Sequence, residues 1–428
     1  MQQTNLQRRN FLQTTAIAGT SVLISQGKRA SANERLRLGV IGCGGRGTWH
    51  INDLNRRIDE GTPVEIAAVC DIYENRKNHA KHLSGGKLYH DYRDLLEHEN
   101  LDAVVIASPD HWHCQMALDS MDAGLDLYLE KPMTLYAHEA KQVYEKSVES
   151  KRIIQVGNGG ASDDLAWQAR KAIDEGLIGK LIWSQASAAR NSRGGEWNWR
   201  IHPEANPQNV DWKAFLGPAP DRPWDPDRYF RFRKYWDYSG GIATDLFYHG
   251  LGHLSIALKA EFPQRVSGMG GIWAQPWKRE VPDTFMMVAD YPSQHTVTML
   301  SSMANDQGCP VMIRGQKGTI YFPSGSERRR QREEKGREWL TVKGESAFMD
   351  DFKDMSGGKS EVHLMEEDRD DHMNNFLRCV KERTQPHMNA LRGYKVTVAI
   401  SMSVYSYRQQ KMVFFDEKNE QVCETPVA

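Results

Sequence analysis

Arg35-Leu36-Arg37-Leu38-Gly39-Val40-Ile41-Gly42-Cys43-Gly44-Gly45-Arg46-Gly47 decides the fold of this 428-residue chain. An apolar strand runs into a glycine-rich turn of the form G-x-G-x-x-G, and a helical stretch over 48–57 follows. A second strand, Val64-Glu65-Ile66-Ala67-Ala68-Val69-Cys70, then ends in Asp71. The turn alone means little. Strand, turn, helix, strand and acidic residue in this order are the context that dinucleotide binding requires. Gly42 permits the tight turn, Gly44 lets backbone approach a pyrophosphate, and Gly47 lets helix and strand pack closely. Gly45 and Arg46 complete the loop, and the helix N-terminus behind it offers N–H donors and positive potential. Asp71, roughly 20 residues beyond the turn, is placed to accept adenosine ribose hydroxyls. Its charge repels a 2′-phosphate, so NAD is favoured over NADP. Arg76 leaves NADP open, because a nearby guanidinium accommodates that phosphate.

The alternation continues outward. Helices are expected over 92–97, 112–123 and 136–150, and buried strands over 103–107, 125–129 and 153–156. Short continuous apolar strands between amphipathic helices predict a doubly wound parallel sheet covered on both faces. Ligands bind beyond the C-terminal ends of such strands. Ser108, Asp110, His111 and His113 fall there, as do Glu130, Lys131 and Asn158, and all are candidates for cofactor contact.

After Asn158 the pattern changes to a helix over 165–175 and then β segments over 181–189, 265–273, 284–291, 295–302, 311–315 and 319–322. This predicts an α+β domain with an open, mostly antiparallel sheet, so the fold class is α/β with domains over 33–157 and 158–428. Between helix and sheet lies an aromatic-rich stretch, 190–238, with arginines interleaved. Arg190, Trp199, Tyr229 and Trp236 are its substrate candidates, since flat rings stack on sugar C–H faces. A packed loop or a subunit contact remains the alternative. The mixed-charge run 326–338 reads as a solvated loop.

Hydride transfer from a carbinol carbon needs a base for the hydroxyl proton. Lys131 stands at a strand's C-terminal end, where Glu130 is expected to fix its position. Ser239-Gly240-Gly241 reads as a flexible lead into a helix carrying Asp245, His249 and His253, whose spacing of four puts them on one face. Asp245 then orients His249, which acts as acid or base, and His253 is structural. The same three residues have the spacing of a metal half-site. No further cluster completes it, so no metal is expected.

Residues 1–32 are read as a targeting segment and not as fold. Arg8-Arg9-Asn10-Phe11-Leu12, an apolar stretch over 16–24 and Ala30-Ser31-Ala32 resemble a twin-arginine export signal with its cleavage site. This implies periplasmic or other exported residence and the twin-arginine machinery as a partner. The stretch is too short for stable membrane insertion. The chain has 55 basic and 56 acidic side chains, and removing the four basic residues of 1–32 leaves it net negative, which argues against nucleic acid. Six cysteines without a C-x-x-C pair indicate neither a disulfide framework nor structural zinc.

The Gly42 fingerprint, Ser108-Pro109-Asp110-His111, Glu130-Lys131-Pro132, and Gly240-Gly241 leading to Asp245-x-x-x-His249 resemble the glucose–fructose oxidoreductase / inositol dehydrogenase / MocA family. The stretch from Asn375-Phe376-Leu377 to Ser406-Tyr407-Arg408 resembles its exported bacterial branch. The resemblance implies catalytic roles for Lys131 and His249, a carbohydrate substrate and homo-oligomers. The family usually has Gly two residues before that histidine. Here Phe247 stands there with Tyr248 beside it, a further substrate candidate. Export adds a constraint, because no free NAD pool turns over outside the cytoplasm and a bound cofactor must be recycled. Either one sugar is oxidised and a second carbonyl reduced, or a glycoside is oxidised, eliminated, hydrated and reduced again.

Overall fold

The computed structural model describes residues 35–426 except 98–99 and 276–277, so the signal-like segment 1–32 lies outside the described residues. The first unit contains β1 (Leu36–Ile41), α1 (Gly45–Asp59), β2 (Val64–Cys70), α2 (Glu74–Ser84), β3 (Lys87–Tyr89), α3 (Tyr92–Leu96), β4 (Ala103–Ile106), α4 (His113–Asp122), β5 (Asp126–Glu130), α5 (Ala137–Ser150) and β6 (Ile154–Gly157). Its strands are parallel in the order β3-β2-β1-β4-β5-β6. The order reverses between β1 and β4, so the loops after them part and leave a crevice at their C-terminal ends. Every residue of β4, β5 and β6 is buried, and β4, Ala103-Val104-Val105-Ile106, is accordingly an unbroken apolar run. Sequence reading missed α2 and β3. The helix is almost wholly polar, with only Lys77 and Ala80 buried, and β3 is three residues long.

The second unit opens with α6 (Asp164–Asp174), β7 (Leu181–Asn191), α7 (Trp212–Leu216), α8 (Pro226–Phe230) and α9 (Tyr248–Ala257). β8 (Arg265–Gly271), β9 (Thr284–Tyr291), β10 (His295–Ser302), β11 (Ala304–Asn305), β12 (Met312–Gly315), β13 (Gly318–Tyr321), α10 (Gly325–Lys335) and β14 (Trp339–Gly344) follow. The chain ends with α11 (Met349–Met355), β15 (Glu361–Met365), α12 (His372–Glu382), α13 (Ala390–Gln409), β16 (Val413–Asp416) and β17 (Gln421–Cys423). The strands order as β15-β14-β13-β12-β7-β10-β9-β8-β16-β17 with β11 on β7, and among the described residues of this sheet only β7 and β10 pair in parallel. Burial alternates strictly along β10, so the sheet buries one face, through Phe285, Met287, Val297 and Met299, against α9 and α13. Its other face leaves Met269, Met286 and Val288 exposed.

One sequence expectation changes. The run 326–338, read as a solvated loop, is largely helix α10. Ser324 and Glu327 form a capping box at its start, Arg328 bridges Asp163 and Glu338, and Arg332 also pairs with Glu338. Only Gln331 of α10 is buried, so no apolar period announced the helix. The nucleotide layer, expected over 33–157, also takes cover from far along the chain. Met373, Phe376, Leu377 and Val380 of α12 pack in one cluster with Leu38, Val40, Ile51 and Leu54. Arg57 clamps Asp371 at the start of that helix.

A Cβ on Gly47 would stand 1.8 Å from the Gly42 carbonyl oxygen, whereas one on Gly45 meets nothing within 4 Å. Gly47→Ala is therefore expected to cost about 1–3 kcal/mol and to lower the thermal midpoint by a few degrees, with Gly45→Ala near neutral. Equal melting of the two variants would contradict the packing. Burial also lowers His111, His295, His372 and His387 to about 4 each, against about 6.5 in an unfolded chain. Between those values the unfolded state holds more protons, so stability falls as pH drops through the window. Melting followed from pH 7 to pH 4.5 should show a steep loss; a flat profile would count against these burials.

Candidate active site

Lys131 leaves the end of β5 and crosses to the second unit. Its Nζ donates to the Asp245 carbonyl oxygen at 2.8 Å and to Oδ1 at 2.7 Å. Asp245 lies on a π-helical turn, Ala243–Phe247, ahead of α9, where the ordinary i→i−4 ladder is interrupted. Arg233 Nε donates to the same Oδ1 at 2.9 Å, and Arg190 Nη2 reaches Oδ2 at 3.4 Å. Burial alone would raise the Asp245 carboxyl, but Lys131 and Arg233 hold it well below the usual carboxylate range.

His249 lies one turn on. The residue is exposed as a whole, yet the surrounding protein first, and the Lys131 charge second, bring its pKa down to about 4. The imidazole is therefore neutral at neutral pH and free to accept a proton. Asp245 orients Lys131 and not His249, which corrects the expected pairing. Nor does Glu130 hold the lysine side chain: its carboxylate takes His50 Nε2 at 2.7 Å, Arg46 Nε at 2.6 Å and the Lys131 backbone N–H at 3.2 Å. Although burial opposes it, His50 and Arg46 keep that carboxyl below its ordinary range. Sequence reading missed His50. Its signal was a polar residue four after Arg46, facing the sheet from α1.

The lead into Asp245, expected to be flexible, is buried and bonded. Gly240 N donates to Thr244 Oγ1 at 3.0 Å, and Thr244 Oγ1 donates to Asp110 at 3.1 Å. His253 leaves this group and faces Asp163 at 3.5 Å. Among the described residues no three His, Cys, Asp or Glu side chains are grouped to hold a metal.

The crevice fits a dinucleotide. Asp71 Oδ2 accepts from Cys43 N at 2.7 Å and Oδ1 from Tyr73 N at 2.8 Å, which fixes the carboxylate beside the glycine turn. A Cβ on Gly44 would come within 3.5 Å of Arg76, whose guanidinium lies against Tyr73, Tyr229 and Phe230. Ser108 Oγ and Asn158 Oδ1, beyond β4 and β6, are buried without a partner, and a bound polar group would satisfy them. Two expected cofactor contacts point elsewhere. His111 Nε2 lies 2.9 Å from the Phe215 carbonyl oxygen, and His113 spans the Pro132 and Ser108 carbonyls at 2.6 and 3.0 Å. Both hold loops together.

Of the substrate candidates, Arg190 and Trp199 border the lysine, the latter beneath Arg233 at 5.3 Å and 48% exposed. The other three do not. Tyr229 is buried against Arg76 at the adenosine end. Trp236 packs with Tyr407 and Arg408. Tyr248 is fully buried and donates to the Gly393 carbonyl at 3.2 Å. Arg233 had no sequence feature to distinguish it from the arginines around it.

An oxidoreductase-family NAD-binding Rossmann fold matches residues 36–158, and the C-terminal alpha/beta domain of the oxidoreductase family matches 165–324. The chain is 31% identical over 178 residues to inositol 2-dehydrogenase of Rubrobacter xylanophilus, covering 40% of this chain and 50% of that one. It is 27% identical over 213 residues to an alpha-N-acetylgalactosaminidase of Shewanella oneidensis, covering 46% and 42%. The chain thus spans about half the length of the curated relatives it matches. Levoglucosan dehydrogenase, solved with NADH and levoglucosan, superposes with a TM-score of 0.65 at 17% identity, over 89% of this chain and 99% of that one. With its Rossmann crevice, its lysine beyond β5 and both domains matched, the chain belongs to the Gfo/Idh/MocA oxidoreductase family, and its N-terminal unit is an NAD-binding fold.

Proposed function

We propose that this protein oxidises a hydroxyl-bearing carbon of a sugar, polyol or glycoside, with NAD held tightly and recycled in place. The observation that carries the reading is the Lys131 ammonium fixed by the carbonyl and carboxylate of Asp245, with the neutral His249 imidazole beside it. Gly44, Asp71 and Ser108 would hold the dinucleotide. When bound, NAD supplies the hydride acceptor. Lys131 Nζ orients the substrate hydroxyl, and His249 accepts its proton as the carbonyl forms. In the return direction the same groups give the proton back.

Retention is supported by the segment around α7 and α8, which is tied to both lips of the crevice. Asp211 N donates to the Ile72 carbonyl at 3.0 Å, Trp112 Nε1 to the Phe215 carbonyl at 2.9 Å, and Arg76 to Tyr229 at 3.3 Å. A captive cofactor suits export through the twin-arginine route to the periplasm, which we infer from residues 1–32. The exposed Met269, Met286 and Val288 face suits a homo-oligomer. A second reading, redox-neutral glycoside cleavage, is favoured by the similarity to the alpha-N-acetylgalactosaminidase and by the same retention. It begins with the same proton transfer.

Denatured protein should release NAD(H). Lys131→Met and His249→Asn should each lower kcat about 100-fold or more while bound NAD stays at the wild-type level. Full activity in both variants would overturn the assignment. Turnover of chromogenic glycosides without added cofactor selects cleavage, and consumption of added NAD with a free sugar selects dehydrogenation.

A further inference from the structure

Around Lys131 the carboxylates are committed, and two guanidinium groups are not. Asp245 is shared among Lys131, Arg233 and Arg190; Glu130 is taken by Arg46 and His50; Asp110 accepts from Thr244; Glu196 stands 3.5 Å from Arg190 Nε. Arg233 spends only Nε on Asp245. Its Nη1 and Nη2 have no hydrogen-bond partner among the described residues, and the side chain keeps 22% of its surface exposed. Arg190 reaches Asp245 through Nη2 at the long distance of 3.4 Å, its buried Nε has no hydrogen-bond partner, and its Nη1 has none among the described residues. Trp199 and Phe232 lie under the Arg233 guanidinium at 5.3 and 4.6 Å, so the ring faces position it without consuming its donors.

A guanidinium presents its terminal N–H groups as a planar fork that matches a carboxylate. When a substrate fills the cleft, these donors lose water, and an anion repays that loss better than a hydroxyl. Resting on the reading of the site given above, we propose that Arg233, with Arg190, recognises an acidic group on the substrate, and that the natural substrate is a carboxylate-bearing sugar such as a uronic acid unit. Lys131 and His249 then meet a hydroxyl of a ring whose position is set by the fork.

The test uses the full holoenzyme and paired probes: glucuronate with glucose, galacturonate with galactose, mannuronate with mannose, and glucose 6-sulfate as the sulfate arm. Binding is followed by tryptophan fluorescence, and reduction of bound cofactor by absorbance. At least one acid should bind about tenfold to 100-fold tighter than its neutral partner. Arg233→Gln should collapse that ratio toward one, Arg233→Lys should restore part of it, and Arg190→Gln, at a half-exposed side chain, should reduce it. A panel in which no acid outbinds its neutral partner, including one in which nothing binds, overturns the proposal. Preference for the sulfate alone overturns the carboxylate assignment. An undiminished ratio in both arginine variants does so as well. If the protein holds NAD and oxidises neutral sugars without acid preference, this inference fails alone; if it holds no NAD, the proposed function fails first.

Discussion

A lysine ammonium held across two domains is the contact on which this molecule turns. Lys131 belongs to the nucleotide sheet, and both of its acceptors belong to Asp245 in the second unit. Separating such a pair leaves charges uncompensated, at about 3–5 kcal/mol for buried cases. The joint around it is therefore stiff. Asn158 Nδ2 donates to the Tyr248 carbonyl at 2.7 Å, and Thr244 ties Asp110 to the glycine pair before the π turn. A Cβ on Gly252 would fall 1.8 Å from Asn158 Nδ2, so helix α9 meets the nucleotide domain too closely for any side chain there. The site lies where neither unit can shift alone.

The aromatic stretch between β7 and α9 divides into two functions. Phe215, Tyr229, Phe230, Tyr235 and Tyr238 form a cluster with Tyr73 of the nucleotide domain. Their rings meet edge-on or tilted, as packed aromatic side chains prefer. Arg233 and Trp199 turn the other way, toward Asp245. One segment thus packs against the nucleotide domain at Tyr73 and also furnishes cations beside the lysine.

The parallel sheet was legible because short, largely apolar strands such as β4 alternate with helices, and the antiparallel sheet because β10 alternates with period two. Lys131, Asp245 and His249 were legible as motifs. Their partnerships were not. Nothing local in the sequence shows that Asp245 serves Lys131, since a π turn of five residues separates linear spacing from the face a residue occupies. Tyr248 looked like a pocket residue through its place beside His249, yet its phenol goes to Gly393 and Thr397, more than a hundred residues on. Helix α10 was hidden for a different reason: it is held by capping and ion pairs, which leave no apolar stripe.

Helix α12 gives the nucleotide domain a history. The apolar face made by Leu38, Val40, Ile51 and Leu54 is covered by side chains encoded more than three hundred residues later. During synthesis α12 cannot cover that surface until more than three hundred further residues have been made. The nucleotide domain thus precedes its own cover along the chain, and a product truncated before α12 would carry an open hydrophobic wall that chaperones and proteases can read.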